Sequence, residues 1–266
     1  MMHSLSGFSV LALLLGLLVC AAPGPRSCDT ELCGSKFLPT RNLVGDSLFE
    51  RHDPKAELSP RVPSHCHHLP NRKSDDSGVP YCAVIQVLRK DNGASLGYIS
   101  KNTFFQAQYR VQPDISDAVV VNFTVHNVHK THTGVDLLTV NSDIPNYFYL
   151  GLVQGRDDVT SILHAGSYQY AYIANTNPTP PDSPPQNVGN SYTQATGRQR
   201  TSESAVWTLD VSAGTITPVW TNPDGTQPPI QIFLQSTAVY ISGDAGQFNA
   251  RYPAPITFIT LKLVTQ

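Results

Sequence analysis

Histidine and cysteine side chains, both of which bind transition metals, crowd the stretch SHCHHLP at residues 64–70. It contains His65, Cys66, His67 and His68. The ligands within each pair of a structural zinc site lie about two to four residues apart, whereas His67 and His68 are adjacent and point in opposite directions in an extended chain. The alternative, which we favour, is that Cys66 forms a disulfide bond within a histidine-rich linker.

A second histidine set, in VHNVHKTHTG, comprises His126, His129 and His132. On a continuous strand His126 and His132 share a face and His129 lies on the other. A turn at HKTHTG would bring all three together, with His164 as a further neighbour, and three convergent imidazoles suit zinc or copper. The competing interpretation is a hairpin loop whose histidines contact only water. The sequence predicts no cofactor, and these three histidines are its candidate metal ligands.

Acid–base and nucleophilic chemistry has weak support in this sequence. The part of the chain after residue 78 contains one glutamate, Glu203, and the adjacent Asp157 and Asp158 would project to opposite faces of a strand. Motifs typical of serine hydrolases, zinc proteases, phosphate-binding loops and dinucleotide-binding folds are absent. We therefore predict a non-catalytic protein, and the alternative is a secreted hydrolase whose site is built from loop aspartates and histidines.

The N-terminus predicts export. The uncharged stretch FSVLALLLGLLVCAA has the length of the apolar core of a secretory signal, and small residues follow it. Cleavage after Ala21 would place Val19 and Ala21 in the two small-residue pockets, so residues 1–21 are the predicted signal peptide. The run lacks a preceding Lys or Arg, and LLVC resembles a lipoprotein box in which Cys20 would carry lipid.

Cysteine usage and one sequon fit the same compartment. Removal of the signal leaves Cys28, Cys33, Cys66 and Cys82, which predicts two disulfide bonds with three possible pairings. The triplet NFT makes Asn122 the predicted acceptor of an N-linked glycan. The expected location is therefore secreted, either extracellular or in a cell wall.

Two regions of different character follow the signal. Residues 22–78 are polar and proline-rich without sustained periodicity, and we predict a poorly ordered, cysteine-containing arm. Residues 79–266 contain about ten short β-branched and aromatic runs. Turn residues separate these runs, for example Asn92-Gly93 and Gly214.

Alternation within the runs predicts the fold class. In AVWTLDV, Trp207 and Leu209 alternate with Thr208 and Asp210. Only GDAGQFNARY, residues 243–252, predicts one or two helical turns. The sequence therefore predicts an all-β domain, specifically an antiparallel β-sandwich of the jelly-roll kind or a relative.

The long interruption at residues 175–203 is the predicted binding region. Its prolines between Pro178 and Pro185 favour an extended path, and long loops in compact domains are usually functional or disordered. This segment and the strand before it supply the candidate ligand-binding residues Tyr168, Tyr170, Tyr172 and Tyr192. The alternative is that Tyr168, Tyr170 and Tyr172 form one face of a strand.

Charge argues against two kinds of partner. The formal net charge is −2, and the basic residues are scattered along the chain. Nucleic acid and membrane surfaces require a clustered positive face, so we expect neither as a partner once the signal is removed. The oligomeric state is left open.

The stretches ESAVW, AGTITPVWTNPDG and the late GD…F, in this order, resemble a pattern in uncharacterised secreted, β-rich proteins of basidiomycete fungi. YCAVIQV…LGYIS is also similar, so the resemblance covers much of residues 79–266. It implies a fungal, secreted, β-rich protein and gives no catalytic residues.

Because Tyr and Trp offer flat faces to sugar rings, the predicted ligand is carbohydrate or cell-wall polysaccharide. A structural wall or matrix component without a small ligand is the second alternative.

Overall fold

A computed structural model describes residues 78–265, and these residues form an antiparallel β protein. The predicted signal peptide, nearly all of the predicted arm, and Cys28, Cys33 and Cys66 lie outside the described residues.

The first half of the described chain contains eight strands. They are β1 (Val79–Arg89), β2 (Ser95–Ile99), β3 (Val111–Gln112), β4 (Val120–Val125), β5 (Thr131–Val135), β6 (Leu137–Thr139), β7 (Tyr149–Gln154) and β8 (Tyr170–Thr176). A short 3-10 helix at Ile115–Asp117 precedes β4.

The second half contains two short helices and the remaining strands. They are α1 (Ser191–Thr196), β9 (Ser202–Glu203), β10 (Trp207–Asp210), β11 (Thr215–Pro218), β12 (Gln231–Gln235), β13 (Ala238–Ser242), α2 (Ala245–Arg251) and β14 (Ile256–Thr265).

Eight of these strands close into a barrel. The hydrogen-bonded order runs β1, β4, β6, β7, β8, β13, β12 and β14, and β14 then pairs with β1 over seven residue pairs, from Ala83 with Thr265 to Arg89 with Ile259. The other strands lie outside this ring: β2 and β3 continue from β1, while β11, β10 and β5 continue from β14, and β9 pairs with β7. The predicted β-sandwich is therefore wrong, and the all-β, antiparallel part of that prediction is confirmed.

The physical reason for the error lies in what alternation records. A strand with one apolar face has the same sequence whether that face meets a second sheet or the inside of a closed ring. Closure depends on the pairing of β1 with β14, which are the first and last strands of the described domain. No local pattern encodes a contact at that sequence separation.

Apolar side chains fill the inside of the barrel. One buried cluster takes members from all eight ring strands, for example Ile85 in β1, Leu152 in β7 and Leu261 in β14. Trp207 and Trp220 belong to the same cluster and are fully buried. The interior is therefore filled with side chains, and the grooves described below lie on the outer surface.

The predicted turn residues perform the expected role. Gly93, between β1 and β2, has a φ of 71°, and Gly214, between β10 and β11, has a φ of 67°. These are left-handed conformations that glycine adopts without a steric cost, so the chain reverses at both positions.

Candidate functional site

Three of the four predicted ligand-binding tyrosines are buried on the outer face of the barrel. Tyr170, Tyr172 and Tyr192 are 4%, 2% and 2% exposed, and they pack with Phe233 and Phe248 in a second apolar cluster. Helix α2 supplies Phe248, whose ring meets that of Tyr170 edge-on at 5.1 Å. Buried rings offer no open face for stacking on a sugar.

Tyr168 differs from the other three because it is half-buried. The guanidinium of Arg251 lies 5.8 Å from the centre of its ring, which is a cation–π distance. The proline-rich segment that follows β8 is bonded to the residue that follows β9. Its Thr179 is buried, and the Thr179 N–H donates to Ser204 Oγ at 2.9 Å.

A buried carboxylate, Asp158, lies at the polar edge of the tyrosine cluster. Its Oδ2 accepts from the Tyr170 N–H at 2.8 Å, whereas Oδ1 is buried without a hydrogen-bond partner. Burial, opposed in part by that hydrogen bond and by Arg200, raises the pKa of Asp158 to about 7. A β-carbon added at Gly155 would lie 2.8 Å from this carboxyl group, so the backbone at Gly155 packs directly against the Asp158 side chain.

The second buried acid is Glu203 in β9. It is 3% exposed, and both of its carboxyl oxygens lie 3.2 Å from the Thr221 N–H, which donates to them. Burial raises the pKa of Glu203 to about 9, so the side chain is protonated at neutral pH. A buried neutral acid bonded to the backbone is a structural group in this position.

Two of the three candidate metal-binding histidines lie on one groove. His126 and His132 line it together with Asp136, and the groove has a volume of about 490 Å³. His129 is exposed and is not part of that lining. Within residues 78–265, no three His, Cys, Asp or Glu side chains come together as a group that could hold a metal ion.

The predicted glycosylation residue, Asn122, lies on the same groove, in the middle of β4. Cys82, in β1, is paired in register with Asn122 and is 8% exposed. The other mature cysteines lie outside the described residues, so the disulfide pairing stays a prediction.

The sequence does not single out Phe105, which is the most exposed of the large hydrophobic side chains in the described part of the chain. Phe105 is 91% exposed and follows Phe104 in the loop between β2 and β3. The sequence KNTFFQAQYR contains the available signal. Two adjacent aromatic residues between polar neighbours cannot both face a core in an extended chain.

A tight turn shapes this loop. The Phe104 N–H donates to the Gln108 carbonyl at 2.9 Å, and the Ala107 N–H donates to the Phe104 carbonyl at 2.7 Å. Ala107 has a φ of 59°, a left-handed conformation that costs a non-glycine residue energy and is kept only where the surroundings fix it. The turn therefore holds Phe105 at its tip.

Side chains from three directions anchor the loop. Both the N–H and the hydroxyl of Thr103 donate to Asp143, at 2.9 and 3.1 Å. The guanidinium of Arg110 lies over the Phe104 ring at 5.8 Å, and the Ser191 hydroxyl of α1 donates to the Ala107 carbonyl at 3.2 Å. An exposed ring on an anchored loop loses little conformational entropy on binding.

Phe104 and Phe105 are shared walls of two neighbouring grooves. The first groove has a volume of about 650 Å³, and its polar lining includes Gln106, Gln108 and Gln235. The second has a volume of about 450 Å³ and lies against α1. We call the two together the Phe105 groove.

Comparisons with known proteins give no relative from which a site could be transferred. No protein-family model, no curated protein and no solved structure matches the chain. The two helices in the described part of the chain, α1 and α2, have six and seven residues, and neither has the length that a bilayer-spanning helix needs.

Proposed function

We propose that this protein is a secreted, non-catalytic carbohydrate-binding protein, and that the Phe105 groove takes a neutral cell-wall polysaccharide. The observation that carries the proposal is the 91% exposure of Phe105 on an anchored turn between two grooves. A flat apolar ring held in water suits the apolar face of a sugar ring.

The chemistry of the first groove favours an uncharged ligand. Its lining contains no charged side chain, and its polar groups are amides and hydroxyls, including Gln106, Gln235 and Ser236. Gln108 adds an amide nitrogen that is buried without a hydrogen-bond partner. Amides both donate and accept hydrogen bonds, as sugar hydroxyls do, so the two sets of groups are complementary.

The shape favours a polymer over a single sugar. The two grooves share the same pair of phenylalanines as walls, and each is within the range of about 300–1,000 Å³ that is typical of small-molecule sites. A chain that crosses Phe105 would place successive sugar units in the two grooves. This arrangement supports binding at more than one sugar unit.

The ligand class is the one predicted from the sequence, but the proposed site differs from the predicted one. Trp207 and Trp220 are fully buried, and their indole N–H groups donate to the Leu150 and Ser161 carbonyls at 2.6 and 2.8 Å. Both indole rings are part of the main hydrophobic core and cannot stack on a ligand. Among the aromatic rings of the described chain, Phe105 takes their place as the proposed stacking surface.

The proposal is tested by co-sedimentation of the full protein with insoluble β-glucan, mannan and chitin, in wild-type and Phe105→Ala forms. We expect retention on at least one neutral polymer and a loss of about tenfold or more in affinity for Phe105→Ala, because covering a phenylalanine side chain contributes roughly 1.5–3 kcal/mol. Retention that falls with added salt would show that charged groups hold the polymer, which would contradict a neutral ligand.

The matched control is Phe148→Ala. Phe148 is also an exposed phenylalanine, at 52%, and it precedes β7 away from the lining of the Phe105 groove. We expect this variant to bind as wild type does. Equal losses in both variants, or no retention on any neutral polymer, would contradict the proposed function.

A further inference from the structure

The groove at Asn122 combines a sequon with a concave surface. Asn122 lies in β4, where it is paired in register with Leu138 of β6. The side chains around it include His126, Asp136 and Leu138, and Leu138 is 40% exposed. This groove is separate from the Phe105 groove and takes no part in the proposed function.

The Asn122 side chain is half-buried at the groove and has no hydrogen-bond partner to lose. Its Oδ1 is buried and accepts no hydrogen bond. Nδ2 is likewise in no hydrogen bond of the described residues, so no partner is lost when a sugar is attached there. An asparagine-linked sugar is attached through Nδ2, so the unbonded amide of Asn122 is available to carry it.

The second requirement of the sequon is also met. Thr124, the hydroxyl residue of Asn122-Phe123-Thr124, is exposed on the same face of β4. Its methyl group packs toward Gly78, where an added β-carbon would lie 2.6 Å from Thr124 Cγ2. The hydroxyl is in no hydrogen bond of the described chain.

We propose that Asn122 carries an N-linked glycan and that the first sugar units lie in the groove beside His126, Asp136 and Leu138. In the transfer, Asn122 Nδ2 forms a bond to C1 of N-acetylglucosamine. The bond from C1 to the diphosphate of a lipid-linked oligosaccharide breaks, the amide loses one proton, and the lipid diphosphate leaves. A host glycosyltransferase catalyses this step.

Asn122 lies on a strand inside the groove and not on a protruding loop, so a sugar attached to it would lie in the groove. A glycan attached in a groove of about 490 Å³ contacts the groove walls before it reaches open solvent. It would cover the exposed Leu138 and supply hydroxyl and acetamide donors near Asp136, whose Oδ1 is buried without a partner. The groove that holds two of the candidate metal ligands is thereby assigned to a sugar.

The test uses the full chain produced through the secretory pathway of a glycosylating yeast, as wild type and as Thr124→Val. The variant keeps the branched shape at Thr124 and removes only the hydroxyl that the sequon needs. Thr124→Ser is the control, because it keeps the sequon. Peptide mass mapping reports the glycan, and melting temperature and hydrogen exchange of β4 and β6 report whether it contacts the groove.

We expect a glycan at Asn122 in wild type and in Thr124→Ser, and none in Thr124→Val. The two glycosylated forms should melt about 2–4 °C higher than Thr124→Val and exchange more slowly in β4 and β6. An unmodified Asn122 in the wild-type protein would overturn the proposal. A glycan that leaves both melting and exchange unchanged would overturn the seating in the groove.

Discussion

Glu203 and its backbone partner illustrate how burial sets the role of a single residue. Glu203 is the only glutamate within residues 78–265, so it has no second glutamate with which to form an acid–base pair. In the structure it is 3% exposed and bonded to the backbone of Thr221, so its chemistry is that of a neutral hydrogen-bonding group. The sequence gives the residue type, but the protonation state of Glu203 follows from its burial in the folded protein.

Glu203 gives a pH-dependent stability with a definite sign. Its pKa is about 9 in the folded protein against an ordinary value of 4.5, so the folded state binds more protons across this range. Stability therefore falls as pH rises from 4.5 to 9, by up to about 1.4 kcal/mol per pH unit. Glu203→Gln, which keeps an acceptor for Thr221, should be more stable than wild type at about pH 8.5 and similar to it near pH 4.5.

Urea unfolding below, within and near the upper end of this pH range measures the difference. Asp182→Asn is the control, because it also removes a carboxylate but at an exposed position. Asp182 has a φ of 56°, which asparagine tolerates, and an asparagine Oδ1 can still accept from Gln227. A Glu203→Gln variant that keeps the full wild-type pH dependence would contradict the assignment.

The tyrosines show where residue patterns stop being informative. Alternation at Tyr170 and Tyr172 places both rings on one face of β8, which the sequence could predict, whereas Tyr168 precedes the strand. The sequence could not predict that α2 would bring Phe248 onto that face and bury Tyr170 and Tyr172. That contact depends on tertiary packing between elements that are distant in the chain.

At the scale of elements, sequence reasoning performs well for strands and for helix α2. One of the β-branched and aromatic runs, YCAVIQVL, lies within β1, and the helical turns predicted in GDAGQFNARY form α2. The start of α2 is encoded locally, because Asp244 is its N-cap and the Asp244 carboxylate accepts from the Gln247 N–H at 3.0 Å. Local signals of this kind need no knowledge of the tertiary fold.

Helix α1 is the element that the sequence reasoning does not predict, because it lies within the proline-rich interruption. Its ends are nevertheless encoded locally: Asn190 is the N-cap and accepts from the Thr193 N–H at 2.8 Å, and Gly197 ends the helix with a φ of 72°. Six residues are too few to show helical periodicity, so only the two caps are available as signals.

Close packing between β7 and β9 gives a prediction at this scale. A β-carbon at Gly151 would lie 2.2 Å from the Glu203 carbonyl oxygen, which is a backbone atom that cannot move aside without breaking the pairing. Gly151→Ala should therefore lower the free energy of unfolding by roughly 1–3 kcal/mol. Chemical denaturation of the purified variant measures the loss.

Gly246→Ala is the matched control for that substitution. Gly246 lies in α2, and its added β-carbon would come no closer than 3.2 Å, to an Asp244 side-chain oxygen. Alanine is the better helix former, so we expect unchanged or slightly higher stability. Equal effects of the two substitutions would show that the β7–β9 contact is not the cause.

For the whole molecule, the seam between the first and last strands is the decisive feature. Leu261 in β14 lies opposite Val87 of β1 and opposite Ile216 of β11, so it joins the closed ring to the strands outside it. It is 4% exposed and belongs to the main core. The sequence shows that β14 is a strand with one apolar face, but it does not show which strands flank it.

Leu261→Ala tests the importance of this seam. We expect a loss of about 2–5 kcal/mol in the free energy of unfolding, the usual range for truncating a buried leucine. Thr260→Ala, at the exposed neighbouring position of the same strand, should change it by less than about 0.5 kcal/mol. Similar losses at both positions would contradict an inward-facing Leu261 in a closed barrel.

The central claim is that the Phe105 groove binds a neutral polysaccharide, and the most direct measurement is a chemical-shift titration. Labelled full-length protein is titrated with a soluble oligosaccharide of the polymer that retains it. We predict shifts concentrated at residues 103–108 and 234–236, with saturation that Phe105→Ala abolishes and Phe148→Ala preserves. Shifts centred elsewhere, or unaffected by Phe105→Ala, would contradict the account.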